Sequence, residues 1–544
     1  MPQMEKLQTY KVVCEGGLNS NQNIVYLADT KPGMATTLVN FEPSLYGGYR
    51  RINGYSQLEA TNPAVGGTGA QGKVLGVTIF NGSTIIATRQ DNPGTTYSIY
   101  KWISGGAWSK YTTGLTLTTV NIDKCRFAWY NFNGTAHMIM VDGINAPTLW
   151  DQTNWASVTA AHTGASFAQA GGNQVVTSPK YVTVFKQSIF VAGDPTNPQI
   201  VAYSAPNSDY DWTAASGAGQ INAGMDVVAI KPFREDLFVF GKTRIKKISV
   251  SGTNFVINDV ATEVGCLCPD SVVEINGDLL YLAEDGFRNI AGTDRIGDVE
   301  LASQSKAIQF DVTNQILSGV DLNSVNCVVI RRKSQVRCFF SNPNTTPDIN
   351  VGIVGGFRGK ADQNSYWGNN NGFVWEWGLL QGIRTSCVTS GYIGPQEYVL
   401  HGDFDGVVYR QESGNSFNGS NITAVYSTPY LDYGDVFVRK TLHKANVFVF
   451  AEGDLQLSVA LQYDWDRQDV FNPSTYTLVD SLSGTVYGTA IYGTSTYAVA
   501  PLPISFSNLE GSGFSQKFTF STSDTNPPYS IQAVAVNFAV DGRK

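Results

Sequence analysis

Side-chain chemistry needs groups that can converge, and this chain supplies few of them. Four histidines occur: His137, His162, His401 and His443. No two stand at a metal-ligand spacing such as His-Glu-x-x-His, and each reads as a surface or turn histidine. Cys266-Leu267-Cys268 has no second cysteine pair at zinc-site spacing. On an alternating strand its two thiols would share one face as small core groups. Asp403-Phe404-Asp405-Gly406 opens like a calcium loop, but Val407-Val408-Tyr409 offers no further oxygen ligand before Glu412, so a hairpin turn is expected. Glu284-Asp285 is a neighbouring carboxylate pair of the type acid–base hydrolysis uses, yet it precedes Gly286 and reads as a turn. Trp375-Glu376-Trp377 puts two indoles on one face of a strand, which suits a sugar ring and a packed core equally. Neither a Gly-x-Ser-x-Gly elbow nor a phosphate-cradling loop is present. The densest charge cluster, Asp294-Arg295-Ile296-Gly297-Asp298-Val299-Glu300, offers Asp294, Arg295, Asp298 and Glu300 as a candidate subunit contact, where arginine and carboxylate pair across an interface. A solvated loop would carry the same residues. These residues assign no catalytic, cofactor or metal site.

The elements that would position such groups are strands. Only 15% of the 544 residues are charged, while 12% are aromatic and 55 are glycine. That mixture favours many short strands joined by tight turns. The length calls for two or three domains. Net charge is −8, and no basic run offers a footprint for holding nucleic acid by its phosphates. Seven scattered cysteines argue against a disulfide framework and for reduced thiols in a cytoplasmically folded protein. The start, Met1–Lys6, lacks the pattern of a secretion signal, and no apolar run is long enough to span a membrane.

A recurring unit organises the middle of the chain. Each copy has an apolar strand, a two-residue polar turn, a second apolar strand and a third after a loop. The turns begin at Asn81, Asn133, Lys186, Arg234 and Asn276, in steps of 52, 53, 48 and 42 residues. Asn-Gly between apolar runs is a strong hairpin signal, because the favoured turn needs positive φ at both central positions. A weaker sixth copy turns at Lys333-Ser334, and a seventh centres on Asp405-Gly406. Blades of four strands repeat at about 40–50 residues, so an all-β fold with a β-propeller-like domain over 61–420 is expected. Residues 1–60 read as an N-terminal arm with short strands at Ile24–Leu27 and Thr37–Phe41. Residues 421–544 alternate, as in Leu455-Gln456-Leu457-Ser458-Val459, which predicts a β-sandwich or platform domain. A helix is expected at about Gln304–Leu317, where Ile308, Val312 and Ile316 fall at helical spacing.

Several segments resemble tail nozzle (tail hub) proteins of short-tailed bacteriophages. They are Pro32-Gly33-Met34-Ala35 with Leu38–Pro43 and Gly47–Tyr55; Leu237–Ile245; Gly265-Cys266 with Pro269–Asp278 and Asp294–Asp298; and Thr428–Gly434 with Lys440-Thr441. The resemblance implies a virion structural protein with no enzymatic activity and no cofactor, made in the host cytoplasm. Six copies would form a closed ring by head-to-tail contacts, below the portal and its adaptor ring. A needle or plug would seal the ring, tail fibres or spikes would attach outside, and viral DNA would pass through without a stable membrane insertion. An acidic or polar lumen would let DNA slide. Two other readings remain at this point: a carbohydrate-binding or carbohydrate-degrading phage tail protein, and a free cytoplasmic propeller that scaffolds other proteins.

Overall fold

The computed structural model describes the chain apart from residues 1–6, 45–46, 60–71, 92–94, 104–105, 112–116, 119–121, 123, 133, 159–176, 253, 291–302, 318–319, 343–348, 359–373, 468, 481–502, 508 and 542–544. Six small antiparallel sheets and one end of a nine-stranded sheet follow one another along the chain as seven blades. Their innermost strands are Val74–Phe80 (blade 1), Arg126–Phe132 (2), Tyr181–Phe185 (3), Ala229–Phe233 (4), Val273–Ile275 (5), Asn326–Ile330 (6) and Cys387–Ile393 (7). In blades 1 to 4 the next three strands follow directly in sequence. Blade 5 has three described strands, with a bridge from Arg288 to Ser303 beside the third.

Burial closes these sheets into a ring. Among the described residues each of seven apolar clusters bridges two successive blades. Val74, Ile85 and Trp102 of blade 1 pack against Tyr398 and Leu400 of blade 7. Leu75 and Ile86 meet Met138 and Trp150 of blade 2. Similar clusters join blades 2 to 3, 3 to 4, 4 to 5, 5 to 6 and 6 to 7. A blade has two apolar faces, so it is stable only between neighbours, and the ring removes the last free face. The fold is therefore all-β, with a β-propeller of blade-type repeats and a β-sandwich.

The turns follow the sequence. Asn81-Gly82 and Asn276-Gly277 have positive φ at both positions, 46° and 62°, and 51° and 76°. The seventh unit differs from expectation. Asp403 and Val407 flank a turn between the second and third strands of blade 7, while the inner hairpin is Cys387–Ile393 with Gln396–Gly402. Its Gly394-Pro395 connection lacks the Asn-Gly or Asp-Gly signature.

Residues before 58 are woven into the rest of the molecule. Gln8–Val13 and Tyr49–Arg51 pair with Tyr529–Val540 in the first sheet of the sandwich. Thr37–Val39 pairs with Ser427–Val425 on one side, and Val39 bridges to Leu379 on the other. It thus fuses blade 6 and the second sandwich sheet into one nine-stranded sheet. Tyr55–Gln57 is the outermost strand of blade 7. Ile24–Leu27, expected as a strand, begins the helix Ile24–Thr30, because the Asn23 side chain accepts the N–H of Val25 at 2.9 Å and caps it. In the sandwich, Leu455–Tyr463 alternates buried and less buried residues as its sequence predicts. The expected helix near 304–317 is present as a 3₁₀ turn, Lys306–Ile308, running into Gln309–Leu317.

Buried charge locks this junction. Arg337 of blade 6 reaches Glu42 at 3.1 Å and Glu412 at 2.5 Å. Lys333 bonds the same two carboxylates at 2.6 and 2.5 Å, and Arg50 adds a contact to Glu42 at 3.0 Å. Burial would raise the Glu412 carboxyl, but Arg337 and Lys333 bring it down to about 2.

The thiols correct a simpler picture. Cys327 and Cys338 are direct cross-strand partners in blade 6 and form a disulfide, whereas the other five cysteines are buried thiols outside any disulfide.

Candidate functional site

The seven innermost strands surround a channel of about 720 Å³ along the propeller axis. Their first residues gather at one mouth. There Lys124, just before blade 2, spans to Asp270 before blade 5 at 2.8 Å and to Asn326 of blade 6 at 2.7 Å. Arg126 grips the same Asp270 with two bonds of 2.9 Å and lies over the Tyr181 ring. Blades 2 and 5 stand nearly opposite in a ring of seven, so these side chains form a crossbar. Burial alone would raise the Asp270 carboxyl, but Arg126 and Lys124 hold it well below the usual carboxylate range.

The turns that follow the inner strands meet around the other mouth. Lys186 pairs with Glu235, and Arg234 donates to the carbonyl of Gly277 at 3.1 Å. Arg331 follows the inner strand of blade 6 and donates to the Ser390 hydroxyl at 3.0 Å. Midway along the channel, Lys231 of blade 4 and Glu274 of blade 5 are lining residues. Burial pushes the Lys231 ammonium below the ordinary lysine value, and Glu274 pushes it back up. The crossbar comprises two cations and one anion, and the remaining charged lining residues are Lys231, Arg331 and Glu274. The described lining thus carries an excess of positive charge in a chain whose net charge is −8.

The residues singled out by sequence fall in different places. Asp294, Arg295, Asp298 and Glu300 lie outside the described residues, as does His162. His137 shares a 2.7 Å hydrogen bond with Asp209 across blades 2 and 3. His401 is buried in blade 7, and burial pushes it down to about 3. Cys266 and Cys268 flank the start of the Pro269–Ser271 turn instead of a strand, and burial raises Cys266 to about 11. Asp403 accepts the N–H groups of Asp405 and Val407, both at 2.9 Å, so this segment is a turn. Asp285 pairs with Arg288 at 2.5 Å. Trp375 and Trp377 stack on each other at 4.9 Å, and Trp377 stacks again on Phe287 while its Nε1 donates to the Gln304 carbonyl. They are core packing. Among the described residues no group of three or more His, Cys, Asp or Glu could hold a metal ion. Among the described residues no helix is long and apolar enough to cross a membrane.

Sequence reading passed over Lys124, Arg126, Lys231, Asp270 and Arg331. Each sits in or beside an apolar inner strand, and the signal was there in Lys231: a lysine inside the apolar run Val227–Phe233 breaks its pattern.

No family model and no curated protein matches the chain. Among solved structures, a crystal structure of Chaetomium thermophilum Raptor aligns over 72% of this chain and 31% of its own length, at 10% identity and a TM-score of 0.35. The present chain therefore spans about a third of that protein, and a likeness at this score carries no argument about function.

Proposed function

We propose that this protein is a virion structural subunit, the nozzle ring component of a short phage tail, used for its shape and not for catalysis. The observation that carries the reading is where the nozzle-like segments lie. Residues 32–55, the most specific of them, supply the strands that join propeller to sandwich. Arg50 pairs with Glu42 and Glu452, and the fully buried Arg51 pairs with Asp524 at 2.5 Å. At Gly33 a Cβ would stand 1.9 Å from the Val13 carbonyl, and at Gly265 2.3 Å from that of Gly241. Those segments thus hold residues that the junctions require, which is what a rigid wedge in a ring needs.

A second feature supports assembly. Val25, Val436, Trp465, Phe471 and Phe514 surround one hollow of about 770 Å³ on the sandwich, and Val436 and Phe471 are more than half exposed. Clustered exposed apolar groups mark interaction surfaces more often than idle surface. In this reading copies of the chain contact one another in a closed ring, meet the adaptor ring, plug and fibres or spikes, and let DNA pass through the ring's centre in the virion tail. Electron microscopy of the parent particle tests it: an axial ring below the portal, fitted by this chain, is expected, and density elsewhere or no copy in the tail overturns it. Trp375 and Trp377, which could have stacked on a sugar ring, have their rings packed in the core.

A further inference from the structure

The crossbar end of the channel is electrostatically settled, and the middle is not. Lys124 has three oxygen partners and Arg126 shares Asp270 with it. Lys231 has neither a hydrogen bond nor an ion pair with any described residue, although Glu274 is near enough to act on it. Lys231 is half-buried in the channel wall, so its ammonium is unpaired but not dry, and an entering anion would meet an uncompensated cation. Arg331 also lines this space; it is exposed, and among the described residues its side chain donates to the Ser390 hydroxyl alone. The volume, about 720 Å³, lies within the range of small-molecule sites.

We propose that the propeller channel binds a small multivalent oxyanion, a phosphate or polycarboxylate, between Lys231 and Arg331, with Glu274 setting an upper limit on affinity. The crossbar spans one end of this space and Arg331 stands at the other. Groups facing Lys231 are Glu274, Asp270 and Arg331. Glu274 repels the ligand, so its removal should help binding. This inference is independent of the assembly reading, since a propeller in any role would keep the channel.

The test is calorimetric titration of the full chain with inorganic phosphate and with citrate, against sodium chloride at matched ionic strength. Saturable binding of at least one oxyanion at one site per chain is expected. Lys231→Met should weaken it at least ten-fold, Arg331→Met several-fold, and Glu274→Gln should tighten it. Circular dichroism confirms that each variant is folded, and the exposed Arg331 position decides the matter if Lys231→Met does not fold. Heats equal to those of the chloride control for both oxyanions, or affinity unchanged in Lys231→Met and Arg331→Met, would overturn the proposal.

Discussion

Blade 4 and blade 7 carry the same four-stranded sheet and complete it in different ways. Blade 4 is cut from one stretch, Ala229–Ala261, and its hairpins can form as soon as that stretch exists. Blade 7 takes three strands from Cys387–Gln411 and its fourth, Tyr55–Gln57, from more than 300 residues earlier. The Tyr55 ring stacks on Phe417 at 5.1 Å and meets His401 and Tyr409 edge-on. Local closure makes a blade, whereas distant closure makes a ring. The same N-terminal segment also enters both sandwich sheets, so closing the ring and attaching the sandwich are one event.

The contrast can be broken from its distant side first. Removing residues 1–58 takes away the outer strand of blade 7 and the strand that fuses blade 6 to the sandwich. Failure to fold is expected, read as loss of soluble protein and of the far-ultraviolet β signal, and a stable, soluble remnant would mean that the propeller closes without its clasp.

Acid should act next most strongly, through the same clasp. His401 titrates at about 3 when folded against 6.5 as a free side chain, and Glu412 at about 2 against 4.5. Both bind protons more readily unfolded, so their stabilisation is complete above about pH 6.5 and drains as pH falls toward 3 and then 2. Each tenfold difference in proton affinity between the unfolded and folded chain is worth about 1.4 kcal/mol, so His401 accounts for a loss of roughly 3–5 kcal/mol between pH 6.5 and 3. Urea midpoints measured across that range should fall in the wild type and much less in His401→Phe.

Arg337→Met sharpens the junction. It should cost about 3 kcal/mol in urea unfolding, the lower end for breaking a buried pair, because Lys333 still reaches both carboxylates. The smallest effect belongs to the local side. Asn81→Ala forces a φ of 46° on an ordinary residue in the blade 1 turn and should cost about 1 kcal/mol without altering acid sensitivity.

The same contrast explains what could be read from the chain alone. Blades 1 to 5 were legible because their signals are local: a two-residue polar turn between apolar runs, Asn-Gly in blades 1, 2 and 5, then a third strand. The alternation of Leu455–Tyr463 was legible for the same reason. Thr37–Val39 and Tyr55–Gln57 are three residues long, too short for any periodicity, and their partners lie hundreds of positions away. Residues 1–60 therefore read as an arm. The Glu42–Lys333–Arg337–Glu412 network was hidden likewise, since no spacing rule connects residues so far apart. Ile24–Leu27 misled because four apolar-rich residues suit a strand or a helix, and the deciding cap, Asn23, is a single side chain.

Hydrogen exchange at single-residue resolution tests most directly whether the N-terminal segment is structural to the ring. The backbone N–H groups of Leu38, Val39 and Tyr55–Gln57 that enter the sheets should be protected to the same degree as those of Gln335–Phe340 in blade 6 and Phe518–Phe520 in the sandwich. Exchange of the N-terminal strands orders of magnitude faster than these partners, with the partners still protected, would show a detachable arm and contradict the account.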